Sequence, residues 1–463
     1  MKTTLLAALL LALPLVGMAQ QQGQRKIFPY NYAVDDMPNG LRLVTVPTDY
    51  PNLVSLYIVV AAGSRNEVEA GKSGFAHFFE HMMFRGSENV TPEQREEIFK
   101  RAGAETNAYT SDDRTVYHAT FSKEDLDGIM RAEADRFQRL KYTPEQYKTE
   151  ALAVLGEYNK NSANPFFKMH EVMRETSFKK HTYSHTTMGY LRDIQDMPNQ
   201  FDYSLEFYRR FYRPEYTTIT VVGDITRERA LELTKKYWAD WKRGDYKVRI
   251  EEEPAQGETR TAHIDWPSPT LPHLAVAFRA PAYRDDSRDV AALDLFAQIA
   301  FGQNSEIYQQ LVIREQKVDI FGPGFGHSMD PELFTVSARV KDAADVTYVR
   351  DQIIKTFERF KTAPIEQAKL DATRSRNRYG FAMAMNSNSA IAGAIAPYIA
   401  LARTPETLNR LFETYQQVTP KDIQEAARKY FREESRTVVT LATQGQKLGA
   451  LEGTGRGGKE GGR

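Results

Sequence analysis

The sequence predicts an α+β protein made of two tandem, homologous halves, and three observations lead there. Strand-like and helix-like patterns come in blocks rather than in strict alternation. At 463 residues the chain exceeds what a single hydrophobic core organises. Segments of the first half also recur in the second. Thr143-Pro144-Glu145-Gln146-Tyr147-Lys148 has a counterpart in Ala363-Pro364-Ile365-Glu366-Gln367-Ala368-Lys369, each following a long amphipathic helix and opening another. Phe84-Arg85-Gly86-Ser87-Glu88 is echoed by Phe301-Gly302-Gln303-Asn304-Ser305-Glu306.

Taken in order, Lys2, the apolar run Leu5 to Val16 and the small residues Gly17 and Ala19 read as a signal peptide over residues 1–19, too short for a membrane span. The expectation is an exported protein, periplasmic or secreted, with no membrane span after signal removal. Alternating β-branched and apolar residues predict strands at Leu41 to Val46 and Leu53 to Val60. A helix is expected from Ser73 to Gly86. The next opens on the capping box Thr91-Pro92-Glu93-Gln94 and stops at Gly103. A hairpin fits Glu105 to Phe121 around Ser111-Asp112-Asp113, and Leu126, Ile129, Met130, Phe137 and Leu140 mark the inner face of the following helix. Residues 244–262, with Gly244, Glu251-Glu252-Glu253-Pro254 and Gly257, read as a linker between halves at 20–243 and 263–445. The glycine-rich residues 446–463 form a tail that cannot bury enough surface to order itself.

Composition narrows the function. Sixty-one basic residues balance 61 acidic ones, so nothing marks a nucleic-acid or acidic-membrane partner. The absence of cysteine excludes disulfides, thiol nucleophiles and thiolate ligands.

The chemistry concentrates in His77-Phe78-Phe79-Glu80-His81. Residues four apart on a helix lie one turn above each other, so both imidazoles share a face, with Glu80 between them. Two neutral imidazoles suit Zn²⁺, which in catalytic sites takes three protein ligands and leaves a fourth position for water. Glu80 is then placed to take a proton from that water. The order HxxEH is the inverzincin signature. A third ligand is offered by Glu150 or Glu157 on the helix opened by Thr143. Seven residues separate them by ~10 Å along the axis, so they cannot both bind one ion, and local pattern leaves the choice open.

The chain resembles the pitrilysin-type zinc peptidases, the group of insulin-degrading enzyme and the mitochondrial processing peptidase. Their HxxEH is followed some 76 residues later by a glutamate ligand, with another glutamate seven residues before it. Glu157 lies 76 residues after His81, and Glu150 is its companion. Gly103-Ala104-Glu105-Thr106-Asn107-Ala108-Tyr109-Thr110 resembles the family's substrate-holding edge strand, and Phe211-Tyr212-Arg213-Pro214-Glu215 and Val221-Val222-Gly223-Asp224 match the end of its first domain. The resemblance implies two domains, each a mainly antiparallel sheet packed against helices, and a chamber closed by a second chain. It implies one Zn²⁺ per chain on His77, His81 and Glu157, Glu80 as catalytic base, and Glu150 behind the ligands. Asn107, Ala108, Thr110 and Arg314 would hold peptide substrate. One departure stands out: the family pairs the arginine at Arg314 with a tyrosine seven residues on, where this chain has Phe321. The expectation is the zinc-bearing half of a heterodimer whose partner supplies an arginine and tyrosine pair, with a homodimer as the other possibility. The competing reading is a non-catalytic scaffold or peptide-binding subunit of the same fold. The repeat aligns His77, Glu80 and His81 with Asp294, Ala297 and Gln298, so the second half is expected to lack the metal. His118, His170, His181, His185, His263, His273 and His327 are read as structural.

Overall fold

The computed structural model describes residues 26–448, so the signal-peptide segment and most of the predicted tail lie outside the described residues. Two sheets organise the chain. The first contains β1 (Ala33–Asp36), β2 (Arg42–Pro47), β3 (Leu53–Val60), β4 (Glu105–Thr110), β5 (Thr115–Ser122) and β6 (Thr217–Gly223), in the order β1-β2-β6-β3-β5-β4. The second contains β7 (Arg260–Trp266), β8 (His273–Arg279), β9 (Val318–Phe325), β10 (Leu333–Val340) and β11 (Arg436–Thr443), in the order β7-β11-β8-β10-β9. The series β2-β6-β3-β5-β4 and β7-β11-β8-β10-β9 have the same topology, each antiparallel except for its first pair. The internal repeat suspected from short matches is thus a repeat of fold. The second sheet starts earlier than expected: Arg260 to Ala262, placed in the linker, begin β7, because Thr261 and Ala262 pair in parallel with Val438 and Val439.

The pattern in β3 explains its place. Val54, Leu56, Ile58 and Val60 face a core shared with the helices Phe75–Met82, Leu126–Arg139 and Pro144–Ser162. Tyr57 and Val59 point the other way, as the period of two requires. That second face is covered by a helix from the other half, Asn388–Ala402, whose Ile391, Ile395 and Ile399 recur every four residues and are buried against β3 and β6. Each contributes about 1.5–3 kcal/mol of burial. The exchange is reciprocal: the helix Pro165–Ser177 of the first half lays Met169 and Met173 on Ala275, Ala277, Val439 and Leu441 of the second sheet. The two halves therefore complete each other's cores rather than folding as separate beads.

A candidate metal centre beneath an open sheet edge

The motif helix Phe75–Met82 starts where Gly74 takes φ 92°, a left-handed conformation that breaks the preceding chain direction. Its first turn is held by Glu67, a buried carboxylate that accepts the backbone N–H groups of Gly74 and Ala76 at 2.7 Å each. Sequence reasoning missed Glu67, which reads as an ordinary loop glutamate. The helix Pro144–Ser162, opened by the predicted Thr143–Gln146 capping box, packs against the motif helix.

That packing sets the two glutamates apart. His77 Nε2 lies 3.2 Å from His81 Nε2, and Glu157 Oε2 is 3.5 Å from the first and 3.4 Å from the second. Four ligands placed tetrahedrally at 2.0–2.1 Å from zinc sit ~3.3–3.4 Å from one another. The triangle is thus the size that a zinc ion demands, and the donor set of two imidazoles and one carboxylate suits it. Among the described residues these three form the single group able to hold a metal in this way. Burial, and then the charge of His81, push His77 down to about 4, which leaves it a neutral imidazole with a free lone pair. Glu150 faces away from the triangle. It accepts from His81 Nδ1 at 2.9 Å and pairs with Arg85, so it fixes the tautomer and angle of His81. Burial alone would raise Glu150, but its bonds to His81 and Arg85 outweigh burial and hold it below the usual range. His77 Nδ1, by contrast, is buried without a hydrogen-bond partner.

Glu80 stands beside the triangle. Its carboxylate accepts a 2.7 Å hydrogen bond from Thr110 Oγ1, and burial raises its pKa. Thr110 closes β4, the outermost strand of the first sheet, so the Glu80 carboxylate is tied to the strand expected to hold substrate. A cleft of about 270 Å³ opens here, lined by Glu80, His81, Phe84, Arg85, Asn107, Ala108 and Glu150. Asn107 is exposed and folds its side-chain oxygen onto its neighbour's backbone, accepting from Ala108 N at 2.9 Å. Arg314 is not brought to this cleft: it is exposed at the end of the π-helical turn Gln309–Arg314, and no hydrogen bond or ion pair joins it to the cluster among the described residues. Phe321 packs between Phe301 and Tyr308, with ring centroids 6.3 Å from each.

Two family models match in tandem: Insulinase (Peptidase family M16) over residues 42–190, and Peptidase M16 inactive domain over residues 201–377. The chain belongs to the peptidase M16 family. Its relatives include the zinc protease PqqE of Helicobacter pylori, 27% identical over 88% of this chain and 91% of that protein. A probable mitochondrial-processing peptidase subunit beta of Arabidopsis thaliana is 24% identical over 86% of this chain and 76% of that one. Among solved structures, a protease from Helicobacter pylori superimposes with a TM-score of 0.83 at 26% identity, covering 89% of this chain and 99% of that one. The periplasmic protease PqqL from Escherichia coli shares the fold, with a TM-score of 0.71 at 18% identity over 90% of this chain and 48% of that one. The second family model begins inside the first structural half, before β6. Its description agrees with what stands opposite the motif in this M16 chain. Asp294, the counterpart of His77, accepts hydrogen bonds from Tyr415 at 2.7 Å and from His327 at 2.9 Å, within a cluster that also contains Tyr283 and Tyr398. Of the remaining histidines, His118 stacks on Tyr57, His181 meets Asp330 at 2.9 Å and His185 bonds Thr186 O, whereas His170 and His263 are exposed.

Proposed function

We propose that this M16 chain is an endopeptidase carrying one zinc ion on His77, His81 and Glu157, with Glu80 as general base, and that it cleaves short or unfolded peptides. The reading is carried by one observation: three ligand atoms converge at zinc-sized spacings beside a carboxylate that is tied to an open strand edge. When bound, zinc supplies Lewis acidity, bringing the pKa of a coordinated water toward neutrality and polarising the scissile carbonyl. The protein's own groups do the rest. Glu80 takes the water proton and returns it to the leaving amine, while Thr110 keeps its carboxylate pointed at the cleft. Glu150 holds the ring of His81. β4 receives substrate by strand addition, which reads backbone rather than sequence, once Asn107 swings off Ala108 N.

Phe321 supports a division of labour between chains. A phenyl ring offers no hydrogen bond to a developing oxyanion, and one missing donor costs about 10²–10³ in rate. The chain is therefore the zinc-bearing half of a heterodimer, its partner a homologous chain with an arginine and tyrosine pair, and the two together enclose the substrate. Export to the periplasm or beyond fits the N-terminal sequence and the periplasmic PqqL relative. No helix of the described residues is long and apolar enough to cross a membrane. The test is fragment release from an unfolded peptide by the chain alone and with such a partner. Strong stimulation by the partner is expected; full activity of a homodimer would refute the heterodimer.

A further inference from the structure

The motif helix Phe75–Met82 has eight residues, about 12 Å of axis, and carries its two histidines at the third and seventh of them. A helix that short does not keep its shape in water by itself. Whatever fixes its ends therefore fixes the spacing of His77 and His81. The rings themselves are gripped unequally. Glu150 bonds His81 Nδ1, whereas His77 Nδ1 is buried with no hydrogen-bond partner, so the place of His77 is set by packing and by the backbone that carries it.

Both ends are held by buried ionisable side chains from outside the helix. At the start, Glu67, its side chain fully buried, gives one oxygen to each of two backbone N–H groups, those of Gly74 and Ala76. Burial pushes this carboxyl well up and the two N–H groups pull it back, so the helix start relies on a pair of acceptors rather than on a charge. At the far end the Met83 carbonyl accepts from Arg136 Nη1 at 3.2 Å and takes no backbone hydrogen bond among the described residues. A cation there is also favoured by the helix dipole. Arg136 belongs to the helix Leu126–Arg139, has a side chain 4% exposed, and is locked in turn. Glu133 accepts from its Nε at 2.8 Å and from its Nη2, and the rings of Phe84 and Tyr117 lie 5.0 and 4.8 Å from the guanidinium. The other oxygen of Glu133 accepts from Arg95 Nη2 at 3.1 Å, on the helix Pro92–Arg101. Arg95 also lies over Phe84, but makes no hydrogen bond to the motif helix among the described residues. The two arginines are thus near-equal members of one buried triad, and only Arg136 reaches the end of the helix that bears the ligands.

We propose that Glu67 and Arg136 are positioning residues for the metal centre, one at each end of the motif helix, which hold it where His77 and His81 meet Glu157. The assignment rests on the metal site of the peptidase reading and extends it from the ligands to the two groups that place them. The probe is Co²⁺, loaded into the zinc-free full chain and its variants: its visible absorption reports the number and geometry of its ligands, and competition with a chromophoric chelator gives its affinity. Arg136→Met and Arg95→Met make a matched pair, since each removes one guanidinium and leaves Glu133 with one partner, and melting of the zinc-free proteins falls in both. Arg136→Met weakens Co²⁺ about tenfold, the lower end for groups that orient a metal ligand, and alters its spectrum. Arg136→Lys, which restores a donor, recovers most of that loss. Arg95→Met stays within about twofold of wild type and keeps its spectrum, because the metal feels the helix end and not the triad. Glu67→Gln turns an NH₂ group toward a backbone N–H and also weakens Co²⁺ about tenfold, which keeps the proposal testable where Arg136→Met fails to fold. Wild-type affinity and spectrum in Arg136→Met and Glu67→Gln, or an equal change in Arg95→Met, overturns the proposal. A wild type that binds Co²⁺ and zinc but releases no peptide fragments refutes the peptidase reading alone, because the contrast between the two arginines is read without cleavage.

Discussion

Glu150→Gln removes a charge from behind His81 while keeping the side chain's shape. Glu150 is buried, with its side chain 4% exposed, and its Oε1 meets His81 Nδ1 at 2.9 Å while Oε2 pairs with Arg85. Loss of such an orienting partner typically costs 10- to 100-fold in metal affinity, or about 1.4–2.7 kcal/mol. Glutamine retains an acceptor toward His81, and Arg85 is half-exposed and resolvates, so the expected loss is about tenfold. Glu150→Ala removes the acceptor as well and moves toward a hundredfold. Glu157→Gln removes a ligand and falls further still. The assay is a zinc titration against a chromophoric chelator at constant pH, with circular dichroism to confirm the fold. Wild-type affinity in both Glu150 variants, or a larger loss there than in Glu157→Gln, would refute the assignment of Glu150 behind the ligands and Glu157 among them.

Further predictions concern the scaffold. Gly74→Ala places a Cβ 2.3 Å from Ile194 Cδ1 and 2.9 Å from Met188 O at φ 92°, so left-handed strain and overpacking together cost about 2–5 kcal/mol; thermal melting of the zinc-free protein reads the loss, and an unchanged midpoint would contradict the helix start drawn here. Ile395→Ala empties a fully buried position where the second half packs on the first sheet and costs about 2–5 kcal/mol; calorimetry should find the whole transition lowered, and a drop confined to one of two separate transitions would contradict the exchange of helices. Burial pushes Asp330 up, but hydrogen bonds from His181 and Arg65 overcome it and hold the carboxyl at about 2, below its ordinary 3.8. A depressed folded-state pKa gives stability that is present above 3.8 and is lost as pH falls toward 2. Denaturant midpoints of the zinc-free chain should therefore fall more steeply across that window in the wild type than in Asp330→Asn; parallel curves would remove Asp330 from the acid response.

Local pattern carried the elements whose cause is local. β3 runs over the predicted residues Leu53 to Val60 because its alternation matches two buried faces, and the capping boxes at Thr91 and Thr143 start helices where they should. The motif helix is shorter than its apolar run suggests. It begins after Gly74, and beyond Met82 the chain tightens into turns in which Phe84 N bonds His81 O and Arg85 N bonds Met82 O. His77, Glu80 and His81 were legible from spacing alone, since a helix puts them on one face. Glu150 and Glu157 share a face of their own helix, so only the crossing of two helices, or a family resemblance, separates the candidate ligand from its neighbour. The exchanged helices depend on contacts between residues distant in sequence, and the hold of Glu67 on the motif helix on a loop conformation, neither of which a local period encodes. Thr110 was expected to align peptide along the sheet edge; its hydroxyl also holds Glu80, a contact that only the folded sheet edge reveals.

The central claim is tested most directly by comparing wild type with Glu80→Gln in two readings on the same sample: zinc per chain by elemental mass spectrometry, and fragment release from an unfolded peptide with the partner chain present. The account predicts about one zinc in both proteins, cleavage by the wild type that a chelator abolishes, and a rate lowered about 10²- to 10⁴-fold by Glu80→Gln. Equal cleavage by the two proteins, or a zinc-loaded wild type that cleaves nothing, would contradict it.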